Sequence, residues 1–549
     1  MKIKFCGAAT SVTGSCHLLT SGDHQILLDC GQFQGNKVQE QMNHEEFPFD
    51  PAQIECVVLS HAHIDHCGRI PLLIKRGFKG TIYCSSATAD LLDVMLKDSG
   101  YIHEKEAEWQ NRKNERAGRP LIEPLYTYND AVDSLKYVKA VEYDQLISIN
   151  DDIKVVFNDA GHILGSAIIE LFVNENDSTS KIVFSGDLGV VNRPILNDPT
   201  IIKKADYVIM ETTYGNRVHP KEGNNMQALL DIIINTARRG GTTVIPSFAV
   251  GRTQELIYEL NRYYESDDNS YHKELKKLKV YVDSPMAYAA TEVFKNNAQV
   301  YDQEMREFIM RGDNPLDFPG LEFTKTSEES QAINMDHSPK IIISASGMCE
   351  AGRIRHHLKH NLWDKNSSIV FVGYQAEGTL GRTLIEGVDQ VTLFGERIQV
   401  NAEIHNLEGF SGHADRDGLF NWISGFEKRP KQIFLVHGET ESKEAFAYML
   451  KEKLGYDPVI VREISEFELE SATMISMDET IKDFMETESL DTLKLRVASV
   501  QDTLNALLKS PDTITNGDMT ASKLSELKNL IVQLEKDAVN LGSAITDRT

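Results

Sequence analysis

The chain has 549 residues, 41% of them hydrophobic and 25% charged, with a formal net charge of -25 at pH 7. That length exceeds a single core and implies two or three domains; no run approaches the roughly 20 apolar residues of a membrane span, and the acidic balance excludes indiscriminate binding to polyanions, so any nucleic-acid contact must be local. Seven cysteines without CxxC spacing suggest neither a disulfide framework nor a thiolate metal site, and the start at Met1 enters a strand-like pattern without the apolar core of a signal peptide, which predicts a cytoplasmic protein.

From Met1 to about Tyr207, short β-rich runs alternate with turns: Gln25 to Asp29, Cys56 to Leu59, Thr81 to Cys84, Lys154 to Phe157 and Lys181 to Phe184. Several end in a chemically loaded residue, as when a rigid sheet presents site residues on its loops. The densest is the hexapeptide His61-Ala62-His63-Ile64-Asp65-His66, just past Cys56 to Leu59. Along an extended backbone alternate side chains share a face, so this spacing predicts that His61, His63 and Asp65 converge while His66 turns in at the bend. Imidazoles suit borderline ions such as zinc, and a neighbouring carboxylate lets a second position form beside the first, a two-metal site. Further ligand candidates stand beside glycines at strand ends: His162 in AGHILGS, Asp187 in FSGDLG and His437 in LVHGE.

From about Met210 to about Val388 the pattern changes to repeated strand, loop and helix units, which imply a parallel sheet whose loops open onto helix N-termini. Neither GxxxxGK[ST] nor GxGxxG occurs in those loops, which argues against triphosphate or dinucleotide binding. Ser247, Arg252, Arg353, Arg355, Lys359 and Arg382 lie in or after them. Guanidinium forks match phosphate oxygens, so these residues are expected to hold a single strand in one groove. Strand-rich character returns after about Gln390, as though the middle region were inserted into the first domain. In the tail, Leu493, Val497, Val500, Leu504 and Leu507 recur at helical spacing, as do Leu524, Leu527, Ile531, Leu534, Ala538 and Leu541, with Pro511 between. The two readings are a helical hairpin and a coiled-coil element that makes a homodimer, each segment being shorter than three or four heptads.

Together, His61, His63, Asp65, His66, His162, Asp187 and His437 closely resemble the dinuclear centre of the metallo-β-lactamase superfamily. The resemblance implies one ion on His61, His63 and His162, another on Asp65, His66 and His437, and Asp187 between them. Asp29, in LLDCG, matches the superfamily's first motif and is expected to orient a ligand imidazole. Glu211 in METTYGNR, His413 in FSGHAD and His437 match the three extra motifs of the β-CASP subgroup, and VDSPMA, SFAVGRTQEL, SASGMCEAGRIRHHL and GYQAEGTLGR resemble its inserted domain. The similarity runs from Met1 to about Ser465.

The implied fold is α/β: a metallo-β-lactamase αββα sandwich (1–208 and 396–470), an inserted α/β β-CASP domain (209–395) and a C-terminal helical hairpin (471–549). Histidine at the third extra motif goes with RNA-acting members, and the GRIP after the hexapeptide resembles the pre-mRNA 3′-end cleavage endonuclease and its prokaryotic relatives more than ribonuclease J. The implied activity is hydrolysis of single-stranded RNA by two Zn2+ ions, with Mn2+ the alternative, through a bridging hydroxide, with His413, oriented by Glu211, as general acid. Products would carry 5′-phosphate and 3′-hydroxyl ends. The rivals are a small-molecule metallo-hydrolase of the thioester or lactone type, which leaves the insert, Glu211 and His413 unexplained, and a non-catalytic RNA-processing scaffold, which the complete ligand set disfavours.

Overall fold

A computed structural model describes residues 1–9, 11–175, 178–219, 225–266, 270–375 and 378–470. The expected helical hairpin and its dimerising role, residues 471–549, lie outside the described residues. The described residues within 1–306 and 314–470 form one compact unit, which contains every sheet among them.

Two seven-stranded sheets form the sandwich. The first runs Ser465–Glu468, Lys2–Phe5, His17–Ser21, His24–Leu28, Cys56–Val58, Thr81–Ser85 and Val138–Val141. The second runs Val459–Ile460, Gln432–Val436, Tyr207–Glu211, Ser178–Phe184, Ala167–Glu175, Ile153–Asp159 and Ile147–Ser148. Alternate residues meet between them: Ile3, Phe5, Leu19, Ile26, Leu28 and Val58 from one face pack with Val155, Phe157, Ile169, Leu171, Phe184, Ile209 and Phe434 from the other. The opposite residues of the second sheet, Ile168, Val183, Val208, Met210 and Leu435, face Leu419, Trp422, Phe446 and Leu450 of the helices Arg416–Ser424 and Thr440–Leu454. Strict alternation along each strand thus supplies a sheet-sheet and a sheet-helix layer from one sequence.

The insert is a six-stranded sheet in the order Leu321–Phe323, Lys279–Val282, Lys340–Ser344, Thr242–Pro246, Ser368–Phe371 and Glu403–Asn406, with every pairing parallel. Lys340–Ser344 is buried throughout, as a continuous apolar run in a parallel sheet must be. Its last strand, Glu403–Asn406, lies past the boundary expected at 395. Chain order places Tyr207–Glu211 beside Gln432–Val436, so the sandwich closes across the insert.

A helix of 31 residues, Ser86–Arg116, has no counterpart in the sequence reading. Its second half is polar and exposed, which leaves no apolar stripe to read. Gly100 lies in its middle because the chain at Thr127 passes too close for a Cβ, 2.8 Å from the Thr127 carbonyl oxygen.

Candidate metal centre and acid

The hexapeptide is built differently from the extended segment expected. His61 follows the strand Cys56–Val58 and His63 caps a short helix, Ile64–Cys67, whose first turn carries Asp65 and His66. The turn is fixed from outside: Ser15 donates its backbone N–H to the Asp65 carbonyl, Cys30 to that of His66 and Gln32 to that of Ile64. Three loops of the second sheet bring the rest. His162 and Asp187 follow Ile153–Asp159 and Ser178–Phe184, and Gly189 lets them approach, since a Cβ there would lie 1.8 Å from the Gly161 carbonyl oxygen. Between these loops the backbone is laced by Gly189 N–H to Ala160 and Ala414 N–H to Leu188. His437 follows Gln432–Val436 with φ of +47°, and its N–H bonds to the Ala8 carbonyl.

The structure gathers two sets of metal-type donors, His61, His63, His162 and Asp187 in one and Asp65, His66 and His437 in the other, all within 4.8 Å inside each set. His63 Nδ1 lies 3.2 Å from the Nε2 atoms of both His61 and His162. His66 Nε2 is 3.0 Å from His437 Nε2. Asp187 lies between the sets: its Oδ2 is 3.5 Å from His61 Nε2, 3.7 Å from His162 Nε2 and 3.2 Å from His66 Nε2. Its Oδ1 is buried with no hydrogen-bond partner.

Burial holds the His61 and His162 imidazoles well below their usual range and brings His63 down to about 4, so they present lone pairs. Burial alone would raise Asp187, but the His437 and His66 imidazoles outweigh it and hold the carboxyl well below the carboxylate range. The neutral imidazoles of His61, His63 and His162 beside an ionised carboxylate are the donor state that a cation requires, and an orphaned carboxylate oxygen in their midst fits one. The residues present therefore fit bound metal, and the borderline imidazole-rich set fits zinc.

Asp29 stands behind the ligands. Its Oδ2 is 2.7 Å from His66 Nδ1 and accepts from Ser60 Oγ (2.9 Å) and Ser15 Oγ (3.0 Å), while Oδ1 accepts the Ser60 N–H at 2.8 Å. Other supports were not read from the sequence. Thr213 Oγ1 lies 3.2 Å from His437 Nδ1, the Gly412 carbonyl is 3.2 Å from His162 Nδ1, and Arg193 Nη1 donates to the His162 carbonyl at 3.4 Å. Thr213 sits inside the METTYGNR motif, where it was legible; Ser15 and Arg193 carry no local signal.

His413 and Glu211 form a third group with Asp187. Glu211 is buried and accepts the Leu188 N–H at 2.6 Å, with its Oε2 3.3 Å from His413 Nδ1. Burial alone would lower His413, but the Glu211 carboxylate, with Asp187 and Asp65 beyond it, outweighs that and raises the imidazole to about 9. It is thus a proton donor at neutral pH, 3.8 Å from Asp187 Oδ2.

The residues expected to grip phosphate are tied to protein partners. Ser247 is buried and accepts from Thr253 Oγ1. Arg252 is 7% exposed and pairs with Glu255 at 2.5 Å, which Arg193 also holds. Arg353 bonds to the buried Asp283 carboxylate at 2.7 Å, Arg355 to the Glu350 carbonyl and Arg382 to Glu386. Each is engaged with protein partners, Arg353 across two other loops through Asp283, Thr324 and Lys325.

Three family models match the chain: metallo-beta-lactamase superfamily over residues 9–238, Beta-Casp domain over 253–384, and Zn-dependent metallo-hydrolase RNA specificity domain over 397–461. Ribonuclease TTHA0252 of Thermus thermophilus is 36% identical over 450 residues, 82% of this chain and 96% of that protein. Transcription termination factor FttA is 32% identical in Methanosarcina mazei, over 83% of this chain and 69% of that protein, and 32% identical in Methanocaldococcus jannaschii, over 81% and 67%. Among the described residues no helix is long and apolar enough to cross a membrane.

Proposed function

The chain belongs to the metallo-β-lactamase superfamily, in its β-CASP branch, and from that premise we propose that it is a metal-dependent ribonuclease, hydrolysing single-stranded RNA to 5′-phosphate and 3′-hydroxyl ends. The observation that carries this reading is the pair Glu211 and His413, a charged imidazole beside the donor sets. A thioester expels a thiolate, which needs no acid, whereas expelling a ribose 3′ oxygen calls for one. The names of the relatives, a ribonuclease and a transcription factor, support RNA as the polymer.

His61, His63, His162 and Asp187 would hold one ion and Asp65, His66 and His437 the other, two Zn2+ in our reading with Mn2+ the alternative, and such a pair supplies positive charge to the scissile phosphate and an activated water. The residues do the remainder. Asp29 fixes the tautomer and direction of His66. Glu211 aims His413 and keeps it protonated, so that as the bond from phosphorus to the 3′ oxygen breaks, the proton passes to that oxygen. Proton transfer of this kind contributes roughly 100- to 10,000-fold.

The test is incubation of the metal-loaded protein with 5′-labelled single-stranded RNA and matched DNA, with Asp65→Ala and His413→Ala in parallel and product ends mapped. RNA-selective cleavage absent from Asp65→Ala is expected, with His413→Ala retaining its metal and losing activity by that same factor. Cleavage of thioesters or lactones, and not of RNA, by the metal-replete protein would overturn the assignment.

A further inference from the structure

Beside His413 lies a set of flat side chains that the reaction just described does not use. Tyr214, three positions after Glu211, sets its ring edge-on to His413, with centroids 6.0 Å apart and planes at 80°. Tyr374, on the loop after Ser368–Phe371, meets Tyr214 at 6.3 Å and 80°. The Arg217 guanidinium lies over both, 5.4 Å from the Tyr214 centroid and 5.7 Å from that of Tyr374. Tyr214 is buried and Tyr374 half-buried, whereas Arg217 is exposed.

The backbone holds this group in register with the acid. Tyr214 forms an isolated bridge with Asp415, and Arg416 donates its N–H to the Arg217 carbonyl, so residues 214–217 are zipped to the segment directly after His413. The turn is tight, since a Cβ on Gly215 would lie 2.7 Å from the Ser442 carbonyl oxygen. Arg217 also differs from the arginines of the insert: among the described residues no carboxylate pairs with it.

We propose that Arg217 and Tyr374, backed by Tyr214, are a stacking platform for the base of the nucleotide on the 5′ side of the scissile bond. The inference rests on the ribonuclease reading, because the group that His413 protonates is that nucleotide's 3′ oxygen, and the ring assembly next to His413 therefore faces the same nucleotide. A guanidinium held over aromatic rings presents a plane to a base and a charge to its phosphate. Every base has such a face, so the platform selects unpaired bases without selecting sequence.

The experiment places one abasic ribonucleotide at a fixed position in a labelled RNA and compares cleavage at the linkages on its two sides. Wild type, Arg217→Ala, Arg217→Lys, Tyr374→Ala and Tyr374→Phe are run in single turnover. Wild type is expected to lose on the order of 10- to 100-fold at the linkage 3′ to the abasic site and little at the linkage 5′ to it. Arg217→Ala and Tyr374→Ala should lose a similar factor on intact RNA and nothing further at the abasic site, with Tyr374→Phe like wild type and Arg217→Lys impaired. Penalties that multiply, or a loss confined to the 5′ linkage, in a wild type that cuts RNA would overturn the platform alone. A wild type that cuts no RNA overturns both readings.

Discussion

At the scale of single residues, two imidazoles carry charge because different carboxylates outweigh burial, and each can be measured. Glu211 is what holds His413 up, at about 9, against the burial that would lower it. An acid must be protonated to act, so activity falls as pH rises through that value. Glu211→Gln removes the carboxylate charge and should move this alkaline limb to lower pH while leaving metal content unchanged; a profile that keeps its position would remove Glu211 from this role. His66 is the second case: burial would lower it, but the Asp187 and Asp29 carboxylates outweigh this and raise it well above its usual range. Its Nδ1 faces Asp29, leaving a proton on Nε2. A cation at Nε2 must displace that proton. Calorimetric zinc titrations in buffers of differing protonation enthalpy should therefore show proton release, reduced in Asp29→Asn, and identical heats in all buffers would contradict it.

Elements decide how far such residues can be read from sequence. The seven ligand candidates were legible because each stands in a short motif at the end of an apolar run, so that strand periodicity alone placed it at a sheet edge. The hexapeptide's shape was not legible: bonds from Ser15, Cys30 and Gln32 turn its second half into a helix, and those donors lie at least thirty positions away in sequence. The arginines' ties to protein partners were not legible for a related reason. Position after a strand says which edge a side chain occupies, but whether it reaches solvent depends on carboxylates such as Glu255 and Asp283, which no local pattern ties to Arg252 and Arg353. One element gives a direct check. Asp415 caps the helix Arg416–Ser424 through Gly418 N–H at 2.8 Å and also accepts His219 N–H at 2.8 Å. Asp415→Ala should cost about 1 kcal/mol of stability as a lost cap and, by loosening both segments that flank His413, lower kcat more than it raises KM. A purely thermal effect, with kcat intact in the folded protein, would confine Asp415 to capping.

For the whole molecule, the charge of -25 sets how RNA is held. With most cations of the insert engaged internally, only a few phosphates can be neutralised by protein, and for about three or four of them log K against log salt should slope at about -2 to -3 on single strands. A much steeper slope would mean an extended basic track. The order of the strands has a further consequence. Lys2–Phe5 is hydrogen-bonded on one side by Ser465–Glu468, and His437 arrives only with Gln432–Val436. During synthesis, the first strand to leave the ribosome keeps an open edge, and the donor set of Asp65 and His66 lacks its third member, His437, until nearly the whole described chain has been made.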